Sequence, residues 1–379
     1  MFSGCCCWAY SPSNYLKKLS TVLTMRIAID MQAMAGQVTG FGRYVSQITR
    51  ALKKIAPADV KFSEIKVIKR NLRTPSRILW DQVGLPIAAS FKRPDVLFVP
   101  AFSAPILWPG KMVVACHDLI GRLFPENFSR SAKLYWHDLL PKALKYADQI
   151  ITISNASKKD IVRLLKIPES KVSVTPLAAD PKFRPCQDQN EITRIKRTYN
   201  LPRPFCLAVG TIEPRKNLPF LVEAFARSKR NDHDLVIVGK KGWDTETLER
   251  NIQKLHLNER IKILEYVPEE DLVVILSSAT ALLFPSLYEG FGLPILEAMA
   301  CGAPVVASTA SSVPEVAGEA ALYADPKDFS AWQAQISRVI ADPNLRQVLR
   351  SKGLARAKSF TWENAALRTL EIFYKVGKS

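Results

Sequence analysis

ATALLFPSLYEGFGLPILEAMACGAPVVAS, residues 279–308, holds the fold in miniature. An apolar run, ALLFPS, passes through a glycine turn into an apolar segment that opens on Pro294 and closes before Gly302, and PVVAS (304–308) is apolar again. Proline suits the first turn of a helix and glycine its end, so the spacing predicts a helix over residues 294–301 between two strands. Strands that are apolar throughout, joined through a helix, make up a parallel sheet covered by helices.

Two carboxylates interrupt this apolar unit. Glu297 is expected in the first helical turn, and Glu289 stands just before the glycines. A helix N-terminus has N–H groups with no partner in the helix, and the turn lets an anionic ligand approach those of Phe291, Gly292 and Leu293. The spacing alone fits two readings: hydroxyl-binding carboxylates in a ligand site, or a helix-dipole glutamate beside a surface glutamate.

The same alternation runs through the chain from Met25. RIAID (26–30), VLFVP (96–100), KMVVACHD (111–118), QIITIS (149–154) and KVSVTP (171–176) read as strands of one α/β domain, with helices at FGRYVSQITRALKKI and YWHDLLPKALKYA. LAADPKFRPCQDQNEI has no periodicity and reads as a linker. PFCLAVG (204–210), DLVIVGK (234–240), RIKILEYV (260–267), ATALLFPS and PVVAS then make a second doubly wound domain. Ligands of such sheets bind beyond the carboxyl ends of the strands, so the chemistry is expected in the loops that follow them.

Three further strand ends carry suitable residues. AVGTIEPRKN (208–217) closes a strand at Gly210 and places Arg215 and Lys216 at the expected start of a helix, as a diphosphate site or as two solvated cations. GQVTGFGRY (36–44), with Gly40 and Gly42, is a glycine-rich loop that tight-turn packing explains equally well. ACHDLIGRLFPE ends a strand on His117 and Asp118, where the imidazole either meets a bound sugar or is satisfied by local backbone.

Net charge is +18 over 379 residues, and it is uneven. Residues 1–200 hold 31 Lys and Arg against 14 Asp and Glu, whereas residues 201–379 hold 22 against 21. The basic half suits an anionic partner, and charge alone does not choose among nucleic acid, lipid headgroups and phosphorylated substrates. No apolar run reaches the ~18–20 residues of a membrane-spanning helix. Seven cysteines form no C-x2-C pair and read as reduced thiols. Residues 1–24 lack the pattern of a secretory signal and read as an N-terminal extension, disordered or an over-long start, with acylation of Cys5–Cys7 as the lesser alternative. No P-loop, zinc signature or serine-protease order is present, and the first glycine loop does not make the G-x-G-x-x-G of a dehydrogenase.

In their order along the chain, MRIAID, TGFGRYV, HDLI, ISNASKKDI, VGTIEPRKN, IVGKKGW, EGFGLPILE, GEAALYADP and FTW resemble the retaining nucleotide-sugar-dependent glycosyltransferases of family 4 (group 1). RILWDQVGLP, HDLIGRLFPE, GTIEPRKNL and VGKKGW are most similar to its mannosyltransferase-B-like branch. The resemblance implies the GT-B fold, two Rossmann-like doubly wound α/β domains facing a central cleft. The expected division is an acceptor-binding domain at 25–185, a nucleotide-sugar-binding domain at 186–359, and a C-terminal helix, 360–379, crossing back to the first.

It also implies roles. Glu297 binds ribose and Glu289 the donor sugar hydroxyls; the N–H groups of Gly290, Phe291, Gly292 and Leu293 meet sugar and distal phosphate. Lys216, with Arg215, neutralises the leaving diphosphate beside Gly210. Gly40 and Gly42 approach the phosphates, His117 contacts the transferred sugar near its 6-hydroxyl, and Ser154 is a lesser candidate. Many relatives place arginine where this chain has Thr211, which leaves the second phosphate contact to Arg215. No metal or other cofactor is implied.

The expected reaction moves a hexose, mannose first, from GDP-mannose or another nucleoside-diphosphate sugar to a glycan or polyprenyl-linked acceptor in polysaccharide or lipopolysaccharide synthesis. The expected location is cytoplasmic, peripheral on the anionic inner face of the membrane, with no nucleic-acid partner. UDP-glucose, UDP-galactose and UDP-N-acetylglucosamine remain open as donors. A sugar-nucleotide epimerase and a basic nucleic-acid-binding protein are the rival functions.

Overall fold

The structure, a computed structural model, describes residues 24–35, 40–66, 72, 74–101, 104–127 and 129–378. The expected N-terminal extension lies, but for its last residue, outside the described residues. The chain divides into two compact units, one of residues up to Leu177 together with Thr361 onward, the other Ala178–Phe360.

The first unit is built on a six-stranded parallel sheet: β1 (Met25–Asp30), β2 (Val60–Ile65), β3 (Val96–Val99), β4 (Met112–Ala115), β5 (Gln149–Thr152) and β6 (Val172–Val174), in the order β2-β1-β3-β4-β5-β6. From β1 the chain moves outward to β2 and returns on the other side through β3, so the order reverses between β1 and β3. Helix α1 (Gly40–Ile55) follows β1 and buries Tyr44, Val45, Ile48 and Leu52, one face at helical spacing. Gly40 and Gly42 therefore lie within the first turn of a helix rather than in a preceding loop. The last helix, Trp362–Gly377, packs on α1 and on β3, β4 and β5 of this unit. Phe373 meets Phe98 edge to face at 5.1 Å, and Tyr374 donates to Asp59.

The second unit repeats the plan with β7 (Phe205–Val209), β8 (Asp234–Val238), β9 (Ile261–Leu264), β10 (Ala281–Phe284), β11 (Val305–Ser308) and β12 (Ala321–Ala324), ordered β12-β11-β10-β7-β8-β9 and all parallel. Here the reversal falls between β7 and β10. Helix α2 (Leu218–Arg227) follows β7, α3 (Leu293–Ala300) follows β10, and α4 (Pro343–Lys358) packs against α3. The core gathers Leu221, Val222, Phe225 and Trp332, all fully buried.

Three sequence expectations change. Strands β2 and β12 were not expected; both are half-exposed sheet edges, β2 (VKFSEI) mixed in polarity and β12 (ALYA) a run of only four residues. The linker stretch 177–192 is not irregular to its end, because Asp188 caps a helix, Gln189–Thr198, by accepting from the N–H groups of Asn190 and Glu191. The helix after the glycine turn begins at Leu293, since Gly292, in the left-handed region at φ 104°, serves as its cap. Among the described residues no helix is long and apolar enough to cross a membrane.

Candidate active site

At the reversal between β7 and β10 two loops leave neighbouring strand ends side by side. Gly210 ends β7, its N–H bonded to Val238 O, and the chain runs through a 3-10 turn, Pro214–Lys216, before Asn217 turns left-handed at φ 58° to start α2. Arg215 and Lys216 thus sit in this turn and not at the helix start, because Asn217 intervenes. The loop after β10 is tied to it: Leu287 N–H donates to Arg215 O at 2.7 Å, and the Asn217 amide donates to Pro285 O at 3.3 Å and Pro326 O at 2.8 Å.

This pairing of loops brings together residues 73 positions apart. Lys216 Nζ donates to Glu289 Oε1 at 2.6 Å, and Arg215 Nη1 lies 2.9 Å from Glu289 Oε2 while also donating to Tyr288 O. Arg215 Nη2 reaches Glu213 at 2.6 Å. Lys216 and Glu289 are each 7% exposed, so Glu289 is not a surface glutamate and Lys216 is not a solvated cation. The Lys216 ammonium also rests over the Phe284 ring at 4.8 Å. Burial by itself pushes the Glu289 carboxyl up, yet Lys216 and Arg215 outweigh it and hold the group below the usual carboxylate range. The cluster is two cations balanced by two carboxylates, sealed from water on most sides.

The glutamate loop has a further support that sequence reading did not single out. Ser312 Oγ lies 2.9 Å from Glu289 O and 2.8 Å from Phe291 O, and Ser311 Oγ accepts from Glu289 N–H at 2.8 Å and reaches Glu289 O at 2.9 Å. Both serines come from the loop after β11, and Ser308, at its strand end, donates to Ser286 O. TASSVPE (309–315) reads as an ordinary polar turn, and only the adjacency of β10 and β11 gives it this task.

Gly290, Phe291 and Gly292 are buried, and Leu293 is half-buried at the N-terminus of α3. Glu297 is the fifth residue of α3, one residue further in than expected, because the helix starts at Leu293. It is 7% exposed on a helix whose Ile295, Leu296, Ala298 and Met299 are fully buried. A carboxylate carried into such apolar surroundings is expensive unless it is paired. Thr211 is exposed beside this cluster.

In the first unit, His117 follows β4, 6% exposed, with its ring 4.4 Å from Tyr44 edge to face and 5.1 Å from Phe41, both on α1. Burial pushes its pKa down to about 3, so the imidazole is neutral at neutral pH. Ser154 caps the helix Asn155–Leu165, its Oγ accepting from Ser157 N–H at 3.0 Å, which gives it a structural task. Among the described residues no three His, Cys, Asp or Glu side chains gather as a metal site would require.

Residues 38–183 match the family model for glycosyltransferase family 4, and residues 189–356 that for glycosyl transferases group 1. The O-antigen chain mannosyltransferase B of Escherichia coli is 36% identical over 267 residues, covering 69% of this chain and 70% of that protein. The chain belongs to the group 1, family 4 glycosyltransferases. This glycosyltransferase is also 28% identical over 332 residues to the serotype-specific mannosyltransferase WbdA of Escherichia coli, matching 82% of its own length and 40% of that longer relative. A sucrose-phosphate synthase from Thermosynechococcus elongatus has the same fold, with a TM-score of 0.74 at 22% identity over 93% of this chain and 98% of that one. Family and mannosyltransferase-like branch are therefore those that the motifs around Glu289, Lys216 and His117 suggest.

Proposed function

We propose that this glycosyltransferase moves mannose from GDP-mannose to a glycan or polyprenyl-linked acceptor of a cell-surface polysaccharide, with retention at the anomeric carbon. The observation that carries the reading is the buried Lys216–Glu289–Arg215 cluster at the strand reversal of the second unit. A nucleoside diphosphate brings negative charge to this cluster. Lys216 and Arg215 turn toward the diphosphate, the N–H groups at Gly290 to Leu293 meet the distal phosphate, and Glu289, relieved of its cations, accepts from sugar hydroxyls. Glu297 accepts from ribose hydroxyls. His117, neutral, hydrogen-bonds the transferred sugar, and Gly40 and Gly42 put backbone N–H groups near the phosphates.

In the transfer itself, the bond from C1 to the phosphate oxygen breaks as the acceptor oxygen approaches the same face. The acceptor proton passes to that phosphate oxygen, and the charge growing on the diphosphate is held by the two cations. Interactions that strengthen as charge develops are those that raise turnover. The relatives named as an O-antigen chain mannosyltransferase and as a serotype-specific mannosyltransferase support mannose and a cell-surface glycan.

A panel of sugar nucleotides tests this by thermal shift, followed by assay of slow donor hydrolysis. GDP-mannose is expected to give the largest shift and to release GDP and mannose. Preference for a UDP-hexose would replace the mannose reading, conversion of donor to its epimer without acceptor would replace transfer, and no response to any sugar nucleotide would refute the function.

A further inference from the structure

The helical stretch of residues 74–90 in the first unit is apolar on two opposite faces. Trp80, Leu85 and Ala89 are buried in the core, and Arg77 on the inner side is held by Asp30 at 2.7 Å and Asp81 at 2.9 Å. Leu79, Val83, Ile87 and Phe91 recur every fourth residue on the other side and are 65%, 48%, 55% and 83% exposed. The start of this stretch packs against the short helix Arg130–Leu134, which adds Leu134, 55% exposed. A helix apolar on two faces is normally covered on both, and this one has nothing over its outer face among the described residues.

Cations border the stripe. Lys92 and Arg93 follow Phe91 at its end, both exposed, and Arg130 and Lys133 lie on the neighbouring helix. No carboxylate pairs with any of these four among the described residues, in a half of the sequence with 31 basic against 14 acidic residues. An apolar stripe rimmed by unpaired cations matches the boundary of an anionic bilayer, where side chains enter the acyl region and cations stay with the headgroups.

We propose that this stripe is the surface by which the protein docks on anionic membrane, Leu79, Val83, Ile87 and Phe91 entering the interface and Lys92 and Arg93 meeting lipid phosphate. The proposal rests on the membrane-linked acceptor read above for its purpose, so binding and chemistry are measured separately. The full chain is sedimented with phosphatidylcholine vesicles with and without phosphatidylglycerol, and donor hydrolysis is assayed on the same samples. Wild type is expected to bind the anionic vesicles. Lys92→Ala with Arg93→Ala should weaken that binding roughly 10–30-fold, two cations' worth of surface attraction. Ile87→Glu with Phe91→Glu should weaken it at least about tenfold with the melting temperature and hydrolysis kept, since both positions face solvent. Equal binding by the glutamate variant overturns the proposal, as does equal binding of neutral and anionic vesicles. So does loss of a dimer in that variant without vesicle binding by wild type, which would make a second copy the occupant. Wild type that binds vesicles without hydrolysing any donor leaves this surface standing and refutes the enzyme reading instead.

Discussion

Replacing Glu289 by Gln removes one negative charge from between two buried cations and leaves shape almost unchanged. Lys216 and Arg215 each lose a charge-assisted contact, at 2.6 Å and 2.9 Å, of the kind that contributes about 1.5–3 kcal/mol when made. Breaking a buried ion pair on one side costs about 3–5 kcal/mol, because the remaining charge stays buried. For a unit of this size, that lowers the melting temperature by on the order of 10 °C. Without the carboxylate, burial acts on the Lys216 ammonium with less opposition and its pKa falls further. The same change frees both cations for a diphosphate. The expected signature of Glu289→Gln is therefore divided: a less stable free protein, tighter binding of the nucleoside diphosphate alone, and donor turnover lower by two or more orders of magnitude. Differential scanning fluorimetry with and without GDP, beside a turnover assay, reads all three. Unchanged free-state melting would refute the electrostatic argument, and GDP binding weakened in step with turnover would show that Glu289 does not compete with the diphosphate.

Three other perturbations probe the supports of the site. Ser312→Ala removes the hydroxyl shared by Glu289 O and Phe291 O, and is expected to lose about 1–3 kcal/mol of stability and to raise KM for donor, measured by denaturation and by kinetics. Gly239→Ala puts a Cβ 1.8 Å from Gly210 O, so the β7 and β8 ends must part; donor binding by calorimetry should fall at least about tenfold with several kcal/mol of stability. His117 has a folded pKa of about 3 against an unfolded value near 6.5, so its contribution is intact above 6.5 and is lost as pH falls toward 3. At pH 5 the loss is about 2 kcal/mol by denaturant titration, and His117→Gln should abolish that part of the slope.

Much of this was legible before the structure. The buried strands of both sheets announce themselves because parallel strands covered on both faces are apolar without interruption, as in VLFV and ALLF. The edge strands β2 and β12 do not, since half their surface meets water, whereas the other two edges, β6 and β9, are legible in KVSVTP and RIKILEYV. Lys216 and Glu289 are each recognisable at a strand end, but no local pattern says that they touch; the contact follows from the β7–β10 pairing, a property of the whole sheet. Ser311 and Ser312 were invisible for the same reason, being polar residues in a polar turn until β11 sets them beside the glutamate loop. The exposed stripe at Leu79 to Phe91 was hidden by a different cause. A helix apolar on two faces reads as core, and only the packing of Trp80 and Leu85 shows which face is covered.

The two proposed contacts with negative charge, the diphosphate at the buried cluster and lipid at the exposed stripe, should differ in their response to salt. The second unit, residues 178–360, is nearly neutral, with 24 basic against 22 acidic residues, so it does not draw its donor by a broad positive surface. The cations of the glutamate cluster are little exposed, Lys216 at 7% and the Arg215 side chain at 17%, where dissolved ions screen little. The cations around the Leu79 to Phe91 stripe are exposed, and the Debye length contracts from about 10 Å at 0.1 M salt to about 3 Å at 1 M. Raising salt over that range should change the affinity for GDP by less than roughly threefold, by calorimetry, since a buried contact is weakly screened. Over the same range, partition onto anionic vesicles should fall more than about tenfold. If GDP affinity falls in parallel with vesicle binding, the diphosphate is held by exposed charge, and the buried Lys216–Glu289–Arg215 cluster is not where it binds.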